Sequence, residues 1–194
     1  MDSFLTTPLP VTVSVDSRDF EINTDFRVSV RFEILMQEDI DNCQKLLSAL
    51  QLYYPVIPEN LEQAIEKMLW FYSPVENKSP KGGSAAKQVF SYTCDGSYIY
   101  SAFLDQYGID LIDIPYLHWW KFKAMFQGLK SDHMISKIMR YRAAETTSEM
   151  SKEEKKHLQQ IKRLYAIPLP KSEQQKLTDI ENVLLNGGDI TKVL

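Results

Sequence analysis

The chain is poor in the residues that most often announce chemistry. Cysteine occurs only twice in 194 residues, at Cys43 and Cys94. Two thiols so far apart make no disulfide framework and lack the paired spacing of a metal site, so both are expected to be free and inert. Glycine is also scarce, at seven residues, and no glycine-rich dinucleotide fingerprint occurs. Lys81-Gly82-Gly83-Ser84 holds the residue types of a phosphate loop in the wrong order, since there the Lys follows the last Gly and precedes Ser or Thr. The three histidines, His118, His133 and His157, form no HExxH or HxH pattern. No nucleophile elbow occurs, and paired acids such as Asp39 with Asp41 or Glu153 with Glu154 suit solvated helix starts. The expectation is therefore no enzyme, with no catalytic residue, metal or cofactor. No run of about 18 apolar residues is long enough to span a bilayer. The N-terminus MDSFLTTPLP lacks the basic start and apolar centre of a signal peptide, so the expected location is the cytoplasm in which the chain is made.

What is present is the composition of an ordinary globular protein, 44% hydrophobic and 25% charged, with length enough for one substantial core or two small lobes. The net charge of −4 hides an asymmetry. Residues 1–116 hold 8 Lys/Arg against 17 Asp/Glu, a balance of −9, whereas residues 117–163 hold 11 against 5, a balance of +6. Such a split sometimes marks nucleic-acid binding. More often it marks mutually attracting lobes or subunits, or a solvated face, and nucleic acid is not the expected partner.

Aromatic residues concentrate between Tyr98 and Leu129, with Trp119 and Trp120 side by side. Ile99, Ala102, Phe103 and Tyr107 form a helical stripe, and Gly108 is a suitable C-terminal stop. Residues 109–114 read as a short extended link, and Pro115 suits the first turn of a second helix, Tyr116 to Leu129. That helix is apolar nearly all round, which predicts a central, buried element. Its rings read first as core. The alternative is that some form a partner-binding patch, since aromatics and Met are favoured at interface centres. His118, beside both Trp residues, is expected to be a satisfied core histidine; His133 and His157 fall on helix surfaces.

Along the rest of the chain, Val11 to Val15 alternates as a strand, residues 16–18 turn, and Asp19 to Ile22 pairs back. A lone hairpin is marginal, so it must lie on helices. Phe26 to Met36 is ambiguous: its strict alternation reads as a third strand, while the cap-forming cluster Asn23-Thr24-Asp25 and a Val28, Phe32, Leu35 stripe read as a helix, the preferred assignment. Asp39 to Leu52 is a helix with Ile40, Cys43, Leu46, Leu47 and Leu50 on one side, and Asn60 caps another, Leu61 to Phe71. Residues 73–88 form a Pro-, Gly- and Ser-containing flexible linker, 88–93 approach in extended form, and Asp95-Gly96 turns. Ser131 caps a helix from Asp132 to Arg142, whose Met134, Ile135, Ile138 and Met139 face inward while Lys137, Arg140 and Arg142 face elsewhere. Ser151 to Glu154 is a capping box for a helix to Tyr165 with Leu158, Ile161 and Leu164 on one face. A last amphipathic helix spans Glu173 to Leu185, expected to dock on the core or meet a partner chain. The predicted fold is α+β and mainly α, a small N-terminal β-hairpin packed on a helical bundle. Its parts are 1–72, the linker 73–88, an aromatic-rich core 89–166 packed with the first part as one domain, and the C-terminal helix 167–194.

The runs YIYSAFLDQYGIDL and YLHWWKFKAMFQGL, with INTDFR at Ile22–Arg27, LWFY at Leu69–Tyr72 and ISKIMRYR at Ile135–Arg142, resemble the bacteriophage gene-product-fifteen family over roughly residues 10 to 145. Members are encoded in the tail module of phages and prophages of mainly Gram-positive bacteria, beside the tape-measure gene. The resemblance implies a tail assembly protein in the host bacterial cytoplasm, a chaperone for the tape-measure protein, with other tail proteins and self-association as further contacts. The alternatives are a structural tail component retained in the virion and, last, a nucleic-acid-binding protein. A chaperone needs a reversible amphipathic surface, which adaptable Met and rigid aromatic side chains provide. The candidate partner-binding residues are Trp119, Phe122, Met125, Phe126, Met134 and Met139, with Lys121, Lys123 and Arg142 as steering charges.

Overall fold

The computed structural model describes residues 4–73 and 88–168. The expected linker at 73–88, all but its ends, and the expected helix Glu173 to Leu185 lie outside the described residues. Among the described residues the fold is mainly helical: a two-stranded antiparallel hairpin, β1 (Thr12–Val15) and β2 (Arg18–Glu21), then α1 (Phe26–Gln37), α2 (Asn42–Tyr53), α3 (Leu61–Tyr72), α4 (Tyr92–Tyr107), α5 (Trp119–Gln127), α6 (Met134–Ala143) and α7 (Lys152–Leu164).

The hairpin turns through Asp16 and Ser17, both at positive φ, the backbone that matches the twist of paired strands. Its tip is tied to α3: the Asp16 N–H donates to Gln63 Oε1 at 2.9 Å, and Asn60 Nδ2 donates to Asp16 Oδ1 at 3.0 Å. Val13 and Val15 point inward and the strand's other residues outward.

Residues 26–36 are helical, as the caps and not the alternation require. The Asp25 carboxylate accepts from the Arg27 N–H, and Phe26, Ser29 and Phe32 line the buried face. Ser29 is accommodated there because Tyr53 donates its hydroxyl to it at 2.8 Å. Asn60 caps α3 and the Ser151–Glu154 box caps α7, both as read from the sequence.

Several boundaries differ from expectation, each for a local reason. The turn expected at Asp95-Gly96 is helix: α4 begins at Tyr92, capped by Ser91, whose Oγ accepts from the Cys94 N–H. Asp95 returns the favour by accepting the Ser91 N–H at 2.9 Å. The link after Gly108 is a compact turn, because Asp110 Oδ1 accepts the N–H groups of both Ile112 and Asp113. The next helix starts at Trp119 instead of Tyr116. Residues 116–118 instead run extended beside Thr24–Phe26, with Phe26 N–H to Leu117 O at 2.8 Å and Trp119 N–H to Thr24 O at 2.7 Å. Pro115 therefore lies in the approach. In α2, Asp41 is the cap, and of the expected stripe only Leu50 is buried, while Ile40, Cys43, Leu46 and Leu47 remain exposed. The α6 cap is His133, without a side-chain capping bond, instead of Ser131.

The core centres on α5. Phe122 stacks on Phe26, Phe103, Trp119 and Phe126, with ring centroids 4.8, 5.0, 5.7 and 6.1 Å away. These partners come from α1, α4 and α5, so residues on both sides of 74–87 share one aromatic array.

Candidate partner-binding cavity

The paired tryptophans hold the end of α3. A helix leaves its last carbonyls without intrahelical partners. Trp120 Nε1 donates to Phe71 O at 2.7 Å and Trp119 Nε1 to Tyr72 O at 2.9 Å, and Lys123 Nζ adds a longer bond to Tyr72 O at 3.3 Å. A cation there also complements the negative end of the helix dipole. His118 starts α5: its Nδ1 accepts from the Trp120 N–H at 3.1 Å, which leaves Nε2 to carry the proton and donate to Pro10 O at 3.1 Å. Burial lowers its pKa, in keeping with a neutral ring. His118, Trp119, Trp120 and Lys123 thus form a structural clasp between α5, α3 and the N-terminal segment.

Beside this clasp lies a cavity of about 560 Å³. Its walls are Tyr72 of α3, Phe90 and Tyr92 at the start of α4, Trp119 and Phe126 of α5, and Met139 of α6, and Leu129 also borders it. Its polar groups are Glu33 of α1, Lys123 and Gln127 of α5, and Ser136 of α6. The Lys123 ammonium stands over the rings of Tyr72 and Trp119, 5.8 and 5.6 Å from their centroids, where the π faces attract it. Burial nevertheless pulls the Lys123 pKa down. The Tyr72 hydroxyl donates to Glu33. Burial pushes the Tyr72 and Tyr92 phenols up, helped by the hydrogen bond to Glu33 at Tyr72 and by the Glu33 charge at both.

Four of the nine residues singled out from the sequence meet here: Trp119, Lys123, Phe126 and Met139. Trp119 is only 1% exposed, so it supplies wall and little open surface. Phe122, also 1% exposed, is core. Met125 and Met134 are half-buried away from the cavity, and Lys121 is exposed. Arg142 is not a surface steering charge. It is 7% exposed, forks onto Asp95 with bonds of 2.5 and 2.9 Å, and donates to the carbonyls of Val89 and Tyr165. The sequence reading missed Glu33, Tyr72, Phe90, Tyr92, Gln127, Leu129 and Ser136. Glu33 carried a signal, as the lone acid in the stretch FRVSVRFEIL; the others lie on segments that only the tertiary fold brings together.

Among the described residues no cluster of three or more His, Cys, Asp or Glu is placed to hold a metal ion, and no helix is long and apolar enough to cross a membrane. The model of the family described as Bacteriophage Gp15 protein matches residues 5–167. The chain belongs to that family. The match takes in all seven helices of the described residues, extends past the roughly 10–145 expected from the motifs, and covers every wall of the cavity. No curated protein and no solved structure matches the chain.

Proposed function

We propose that this Gp15-family protein is a phage tail assembly protein that binds the tape-measure protein while the tail is built, acting as its chaperone. Family membership supports a phage role, and the tail-module setting of the gene-product-fifteen family supports the assembly step. The observation that carries the binding reading is the aromatic cavity between α3, the start of α4, α5 and α6. Its volume lies within the range of ligand pockets, about 300–1,000 Å³, enough to seat a large side chain of an amphipathic helix. Rigid rings and a thioether form its walls, so a seated side chain gains contact area at small entropic cost. Further apolar side chains stand exposed elsewhere, on α2 and on α3 at Leu69 and Trp70, and extend the surface over which a long helix is shielded.

The test is co-expression with the tape-measure protein encoded beside this gene, then affinity capture and size-exclusion chromatography with light scattering. A soluble, co-eluting tape-measure protein is the expected result, and substitution of Phe126 by Ala weakens capture while the chain stays folded. An insoluble tape-measure protein with nothing co-eluting removes the chaperone reading. Mass spectrometry of purified tails then tests retention in the virion, where a chaperone is absent.

A further inference from the structure

The cavity is apolar in its walls but not at its polar end. Glu33 and Lys123 both line it and form no ion pair with each other. Glu33 accepts one hydrogen bond, from Tyr72, although a carboxylate has about four acceptor sites. Lys123 uses one of its three N–H donors, in the 3.3 Å bond to Tyr72 O. The Tyr92 hydroxyl, also at the cavity, hydrogen-bonds nothing among the described residues. Spare acceptors and spare donors therefore face one space, and their charges oppose.

This arrangement restricts the occupant. A cationic group is drawn to Glu33 but repelled by Lys123, and an anionic group meets the reverse. A purely apolar group displaces water from both charges and leaves their remaining hydrogen-bonding positions unfilled, which is costly. The occupant that satisfies both is neutral, with one group that donates and accepts. The rings of Phe90, Tyr92 and Phe126 favour a further aromatic ring, offset or edge-on.

We propose that the cavity is a receptor for a tyrosine side chain of a partner protein, its ring among Phe90, Tyr92 and Phe126 and its hydroxyl donating to Glu33 while accepting from Lys123. This rests on the reading of the cavity as a protein-binding site and adds which side chain it takes.

The experiment uses the full chain with ¹³C-methyl-labelled methionine and ¹⁵N-labelled tryptophan. N-acetyl-tyrosinamide, N-acetyl-phenylalaninamide and N-acetyl-glutaminamide are each titrated and followed by NMR. The tyrosine amide is expected to shift the Met139 methyl and the Trp119 indole N–H saturably while Met134, outside the cavity, stays put. The phenylalanine amide binds about three- to tenfold more weakly, the worth of one net hydrogen bond. Glu33→Gln keeps an acceptor for Tyr72 and removes the charge; Lys123→Met removes the donor. In either variant, checked for an unchanged fold by its spectrum, the preference for tyrosine over phenylalanine shrinks toward unity. Equal binding of the phenylalanine amide, tighter binding of the glutamine amide, or no saturable shift at Met139 overturns the proposal. Because no tape-measure protein is present, the two readings fail separately. Tyrosine binding without tape-measure capture leaves this site with another partner, and capture without tyrosine binding removes this inference alone.

Discussion

At the residue scale, buried ionisable rings set how stability follows pH. Tyr53 and Tyr54 are both buried, and burial raises the Tyr54 phenol to about 12 and Tyr53 higher still. Between the unfolded value of 10.0 and the folded value, the folded chain holds protons that the unfolded chain has lost. The stabilisation is complete below pH 10 and falls as pH rises, by about 1.4 kcal/mol per pH unit for each such tyrosine. Urea unfolding at pH 9, 10 and 11 is expected to show that decline, and a flat profile would contradict it. His118 acts at the other end with the opposite sign. Its folded pKa is lowered from 6.5 by burial, so the unfolded chain binds the extra proton first and stability falls as pH drops below that value. Protonation also removes the Nδ1 acceptor that caps α5. His118→Asn, which keeps a neutral cap, is expected to flatten the stability change between pH 7 and pH 5, measured by the same unfolding series.

At the element scale, Arg142 links the last turn of α6 to the start of α4 and to the chain just past α7. Its guanidinium bonds Asp95, Val89 O and Tyr165 O. Removing one partner leaves the other charge buried alone, which costs about 3–5 kcal/mol. Asp95→Ala and Arg142→Ala are each expected to lose that much in chemical denaturation, and the double variant much less than their sum. Additive losses would show that the pair is not coupled. The helix α7 stands at the other extreme: it has no buried residue, and Leu164 is 74% exposed. Native-state hydrogen exchange is expected to give α7 a smaller opening free energy than α4, whose Ile99, Ala102 and Phe103 are buried. Comparable protection in the two helices would contradict that expectation.

At the scale of the whole molecule, Phe122 ties together helices from either side of residues 74–87. Replacement by Ala removes a ring stacked on four others, and about 3–5 kcal/mol is expected to be lost. Because the array is shared, tryptophan fluorescence and far-UV circular dichroism are expected to report the same unfolding midpoint; separate midpoints would mean that the halves unfold independently.

Local signals made much of this architecture legible. The side chains of Asn60, Ser151 and Glu154 fix helix starts within three residues of themselves, and Asn23-Thr24-Asp25 outweighed a strict alternation that read as a strand. The mainly helical class, the hairpin and the family follow from such short-range patterns and from motif runs. What sequence distance hid was decided in three dimensions. Asp95-Gly96 reads as a turn in isolation, yet Asp95 is held in helix by Ser91 and by Arg142, 47 residues away. Trp119 and Trp120 announce an aromatic centre, but only packing shows that their N–H groups are spent on the carbonyls at the end of α3. Arg142 reads as a surface charge because a pattern cannot show that a buried carboxylate awaits it. The sequence by itself determined where helices begin and which stretch is aromatic, because caps and periodicity act within a few residues. The cavity that brings Glu33 and Lys123 together was decided by the tertiary structure alone, because its lining comes from five helices that meet only when the core closes.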